Sequence, residues 1–215
     1  MKRFDLKIGT LDKNQILRCL NYDAGLTPNP KVLNLLDDFC HQAGHIEKMR
    51  GAYTLIPIEH VETDGVLTGK GFIKSRQLAG IAAKSSQMAF CLVTAGALLD
   101  QKIESSSDIL NAYLWDALGT VMVENAVTAL LDRLRQKEKS DSSLPFSPGY
   151  CDWDLEGQKL IFSAFDPHPI GIHLQTDSLM MVPQKSIAFI SCLGVDAIHL
   201  NPCRLCGLKK CFMRR

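Results

Sequence analysis

The chain has 215 residues, 46% of them hydrophobic and 22% charged, with a formal net charge of +1. That length is enough to bury a sizeable core, and the balance is that of a globular protein rather than a disordered one. A charge so close to neutral gives no global field for nucleic acid or a membrane surface, and no apolar run approaches the ~20 residues of a bilayer span. Two basic residues near Met1 are followed by no apolar segment, so no signal peptide is expected. Eight cysteines without such a signal then predict a reducing, cytoplasmic setting rather than a disulfide scaffold.

In chain order, Phe4 to Ile8 alternates as a short strand does. Asp12 is placed to cap a helix carrying Ile16, Leu17 and Leu20, and Pro30 suits the first turn of a helix through Val32, Leu35, Leu36 and Phe39. Residues 51–61 read as a strand, and Val66-Leu67 with Phe72-Ile73 as hairpin pieces among glycines. Ser75 predicts another cap, Met88 to Val93 a buried strand, and Ala95 to Lys102 a helix. Asp108 opens the longest helical pattern, Ile109 to Lys137, whose apolar face includes Leu114, Leu118, Val121 and Leu130. Gly119 within it signals close packing against a neighbour. Asp154 is expected to cap a helix through Phe165, and Ile170 to Leu174 and Ser186 to Leu193 to be strands. Strands and helices interleave without a β-α-β rhythm, which predicts one α+β domain over residues 1–200 and a separate tail over 201–215.

Pro145 to Gln158 stands out, with two prolines, Gly149, Tyr150 and Trp153 just after the long helix. Pro148 fixes its own φ and biases Ser147 to an extended form. Gly149 permits backbone geometry closed to other residues, and the two aromatic rings each carry a polar handle. Composition alone leaves two readings open, a rigid turn that caps the core and a ligand loop.

Three ordered segments then resemble the reactivation domain of cobalamin-dependent methionine synthase, and more closely its free-standing bacterial homologues. They are the helix from Ala117 through Glu124 to Arg135, the Ser147-Pro148-Gly149-Tyr150 turn, and Gly171-Ile172 followed by Thr176 to Pro183 and Lys185-Ser186-Ile187. The resemblance implies a curved, mainly antiparallel sheet bordered by helices, with S-adenosylmethionine in a shallow groove. It also implies a corrinoid (cobalamin-binding) protein or methyltransferase as partner, beside the expectation from charge and hydropathy of no nucleic acid and no membrane. Glu124, Ser147, Gly149 and Tyr150 fall at the family's ligand contacts. Where the family's loop begins with arginine this chain has Pro145, which offers no charge; Arg133, Arg135 and Lys139 are the nearby cations. Glu124 reads equally as a solvated helix glutamate.

A second constellation is Cys203-x2-Cys206-x4-Cys211, among Arg204, Lys209, Lys210, Arg214 and Arg215. Positive charge favours thiolate, and zinc or an iron–sulfur cluster fits such spacing, with Cys192 or His199 as a fourth ligand. Reduced, unliganded cysteines remain the alternative. His41 and His45 stand four apart as a surface pair, without the glutamate of a zinc-protease motif. The expected function is therefore assistance in corrinoid-dependent methyl transfer or reductive reactivation. The rivals are a non-catalytic docking module that has lost S-adenosylmethionine binding and a metal or redox protein working through its tail.

Overall fold

The computed structural model describes residues 1–7, 9–22, 28–46, 49–165 and 170–194. Its helices begin where local signals place them. The Asp12 carboxylate accepts from Asn14 N ahead of α1 (Lys13–Cys19), and Asn29 Oδ1 accepts from Lys31 N ahead of α2 (Pro30–Ala43), with Pro30 in the first turn. Ser75 caps α3 (Arg76–Ala82) by accepting from Leu78 N. Gly96, at φ 92°, leads into α4 (Ala97–Glu104), and Asp108 accepts from Leu110 N at the start of α5 (Ile109–Glu138). Each such cap satisfies an amide that the helix itself leaves orphaned.

The strands are β1 (Lys2–Leu6), β2 (Met49–Val61), β3 (Gly65–Thr68), β4 (Gly71–Lys74), β5 (Gln87–Thr94) and β8 (Ser186–Cys192). They form one antiparallel sheet in the order β4-β3-β2-β5-β8, with β1 beside the first half of β2. A register shift between Ile58 and His60 bends β2, as an extra residue on one strand does, and the sheet curls into a half-barrel. Two short strands, β6 (His173–Leu174) and β7 (Met181–Val182), pair apart from it. Ile170 to Leu174, expected as a strand, contributes only its last two residues. Gly171 at φ 69° leaves the extended region and turns the chain, while Ile170 and Ile172 still bury their side chains.

β5 is apolar on both sides, and the two sides face different partners. Ala89, Cys91 and Val93 join Met49, Tyr53 and Phe189 under α1, α2 and α5. Met88, Phe90 and Leu92 join Ile56, Ala188 and Ile190 under α3, Phe146, Trp153 and α6 (Gly157–Phe162). The sheet is thus the shared wall of two apolar layers, which is why alternation fails along β5 and a continuous run appears instead. By length and composition α5 is apolar enough to cross a membrane, but it packs as the core helix of its layer, and 67% of its most apolar 18-residue stretch is buried.

Candidate functional site

The Pro-Gly-Tyr stretch forms a turn anchored to the sheet edge. Phe146 exchanges both backbone hydrogen bonds with Ile190 of β8, each 2.9 Å. Tyr150 N then donates to Ser147 O at 3.1 Å, with Pro148 and Gly149 (φ 85°) in the two central positions. Proline followed by a positive-φ glycine is the pattern of a type II turn. Gly149 N donates to Trp153 O, Trp153 N donates to Tyr150 O, and the Trp153 ring stacks on Phe146 at 5.8 Å and 3°. Ser147 and Pro148 are buried by this arrangement, whereas Tyr150 is 50% exposed.

Asp152 fastens the turn to α3. Its two oxygens accept from Ser75 Oγ at 2.6 Å and Arg76 N at 2.7 Å. Partial burial works against the charge, yet these bonds hold the carboxyl below its usual value. Sequence reasoning passed over Asp152, since nothing local links it to a helix 76 residues earlier.

Glu124 stands half-buried on α5, with its backbone oxygen accepting from Thr128 Oγ1. Asp116, Thr120 and Glu124 occupy one line of the helix, because residues four apart lie above one another. Lys185, just before β8, reaches this line with Nζ 2.7 Å from Asp116 Oδ1 and 3.1 Å from Thr120 Oγ1. Burial raises the pKa of the nearby Cys19 thiol, an effect that Lys185 and Arg18 oppose and that Asp116 and Glu124 reinforce. Glu124 and Lys185 therefore act on the same thiol at the end of α1. The i, i+4 polar line was readable in the sequence; its lysine partner was not.

Ser147, Gly149 and Tyr150 are thus brought together in one turn, while Glu124 belongs to the layer on the other side of the sheet. α5 approaches β8 from one side and α6 from the other. Pairing along the outer edge of β8 runs Ser142↔Leu193 and Phe146↔Ile190, and among the described residues no bridge continues toward Ser186. Among the described residues the first half of β8 thus carries no strand partner on its outer edge, although Ser186, Ala188 and Phe189 are themselves buried. Of the cations near Pro145, Arg135 is engaged with Ser142 (Nε to Oγ, 3.2 Å) and Asp132 (3.3 Å), and Arg133 and Lys139 are exposed.

Cys203, Cys206 and Cys211, with His199, lie outside the described residues. Cys192 is wholly buried in β8, and burial pushes its thiol up to about 12. Among the described residues no group of three or more His, Cys, Asp or Glu is placed to hold a metal. His41 and His45 meet edge to face at 5.3 Å on the surface.

No family model and no curated protein matches this chain. Its architecture is that of the reactivation-domain fold, a curled antiparallel half-barrel with helices packed against it. The solved structure that carries this likeness is the MetH reactivation domain bound to AdoHcy. It matches with a TM-score of 0.67 over 91% of this chain and 79% of that one, at 16% sequence identity.

Proposed function

We propose that this protein binds S-adenosylmethionine at the outer edge of β8 and acts with a corrinoid protein in methyl transfer or reductive reactivation. The observation that carries the reading is the type II turn at Ser147–Tyr150, set beside a stretch of β8 edge that has no strand partner among the described residues. The likeness to a domain solved with AdoHcy supports it. The residues present fit such a ligand. Gly149 is exposed and, having no side chain, lets an adenine rim approach the main chain closely. The half-exposed Tyr150 ring offers a face with a polar tip, and Glu124 offers an acceptor for an ammonium or ribose hydroxyl.

The chemistry asks little more of the chain. A sulfonium is already an activated methyl donor, so no general acid or base is required, and the protein's contribution is orientation. When bound, S-adenosylmethionine would supply a methyl cation and leave as S-adenosylhomocysteine, the accepting electron pair coming from a corrinoid on the partner that a separate electron donor has already reduced to the Co(I) state. Calorimetric titration of the full chain with S-adenosylmethionine tests this. Saturable binding at one site, weakened at least tenfold by Tyr150→Ala, is expected. Absence of saturation at millimolar ligand would leave the partner-docking reading, for which the exposed Tyr150, Leu155, Met180 and Val182 provide apolar surface.

A further inference from the structure

Lys185, which leads into β8, is a cation held at both ends. Its carbonyl accepts from Ala95 N at 2.8 Å, and its stem lies across α5 at Gly119, where an added Cβ would stand 3.0 Å from Lys185 Cγ. The close packing that Gly119 signalled is thus, in part, the path of this side chain. Its tip is fixed as well. Thr120 donates its own proton to Asp116 O at 3.0 Å, so the hydroxyl lone pair is what meets the ammonium. An ammonium carries three protons. Asp116 and Thr120 take two, and among the described residues no acceptor takes the third. The side chain is 15% exposed, so it is not wholly sealed from solvent. Asp116, at 46%, is largely screened by water and leaves the lysine charge only partly compensated.

We infer that Lys185 receives the carboxylate of the ligand's amino-acid end. The inference rests on the S-adenosylmethionine reading and adds a specificity determinant to it: a zwitterionic amino-acid group rather than a nucleoside alone. Pro145 has no donor for this task, and Arg135 is already held by Ser142 and Asp132. A lysine fixed at both ends loses little side-chain freedom on binding, which favours it over a freely rotating surface cation.

The test titrates the full chain with three ligands: S-adenosylmethionine, its decarboxylated form, and 5′-methylthioadenosine, which lacks the amino-acid end. The wild type should prefer S-adenosylmethionine to the decarboxylated form by about tenfold or more. Lys185→Met should abolish that preference and leave 5′-methylthioadenosine binding unchanged, and Lys185→Arg should restore part of it. Thermal melts accompany each variant, and Lys185→Gln, which keeps a donor for Asp116, replaces the methionine variant if that one does not fold. A preference that survives loss of the ammonium overturns the inference while leaving the groove intact. If the wild type binds none of the three ligands, the S-adenosylmethionine reading itself falls, and the inference with it.

Discussion

At the scale of single residues, Glu138 closes the last turn of α5 against the first strands. The Tyr53 hydroxyl donates to Glu138 Oε1, and the Lys2 ammonium pairs with the same oxygen. The Glu138 carboxyl is held below its usual value by Lys2 and by Tyr53, against the opposing effect of partial burial. Burial, reinforced by that carboxylate, pushes the Tyr53 phenol well above its own. The Lys2 side chain is 41% exposed, so water screens its share. Tyr53 is almost fully buried and its bond is not screened, so we weight it above the lysine despite the larger effect of Lys2 on the pKa. Tyr53→Phe is expected to cost about 1–2 kcal/mol and Lys2→Met less. A depressed folded-state pKa contributes stability that is present above the unfolded carboxyl value, about 4.3, and lost as pH falls through the folded value. Glu138→Gln should therefore be less stable than wild type at pH 7 and lose less as pH is lowered from 5 to 3. Urea melts across that range measure both slopes; parallel slopes would exclude Glu138 as a source of acid sensitivity.

At the scale of elements, the turn and α3 hold one another. Asp152 serves as a second cap for α3, beside Ser75, from a segment distant in sequence. Replacing it with asparagine keeps the shape and removes the charge, and a lost cap costs about 1 kcal/mol. Amide exchange at Arg76 and Leu78 should rise in Asp152→Asn with little change in the core strands. Unchanged exchange there would mean that Ser75 caps the helix unaided. α6 has a different constraint. An added Cβ at Gly157 would fall 2.3 Å from Trp153 Nε1, and the indole is backed by Phe146, so neither side yields easily. Gly157→Ala should cost about 1–3 kcal/mol, the range for overpacking, despite alanine's better helix propensity. A gain in melting temperature would contradict this. The helix starts were legible in the sequence because a cap acts within three residues: Asp12, Asn29-Pro30, Ser75 and Asp108 all do so. Asp154 reads as a cap too, and its carboxylate accepts from Glu156 N, but α6 begins only at Gly157. The pairing of Phe146 with Ile190 and of Lys185 with Asp116 carried no such mark, because no local periodicity encodes contacts between distant segments.

At the scale of the whole molecule, the antiparallel sheet was what the family resemblance implied and the burial of β5 was legible in the run Met88 to Val93, while the assignment of helices to faces was not. Amphipathic helices declare that they have a buried side but not which side of a sheet it meets. The result is two apolar layers that share β2, β5 and β8, so neither keeps its wall if the other melts. Phe90 and Phe189 fill opposite layers and are both fully buried. Each substitution to alanine should cost about 3–5 kcal/mol, a large share of the 5–15 kcal/mol typical of a folded domain. The chain carries its own reporters of the two layers: Trp115 packs on Phe39 at 4.5 Å in the α5 layer, and Trp153 stacks on Phe146 in the other. With only two tryptophans in the sequence, Trp115→Phe and Trp153→Phe each leave a single probe on one face. If the shared sheet couples the layers, the fluorescence midpoint in each variant should coincide with the far-ultraviolet circular dichroism midpoint of the same variant, as for a two-state transition. It should remain coincident when Phe90→Ala or Phe189→Ala is added, with both signals moving together whichever layer is damaged. A fluorescence transition that separates from the backbone signal by more than a few degrees would mean that one layer unfolds from a sheet held up by the other.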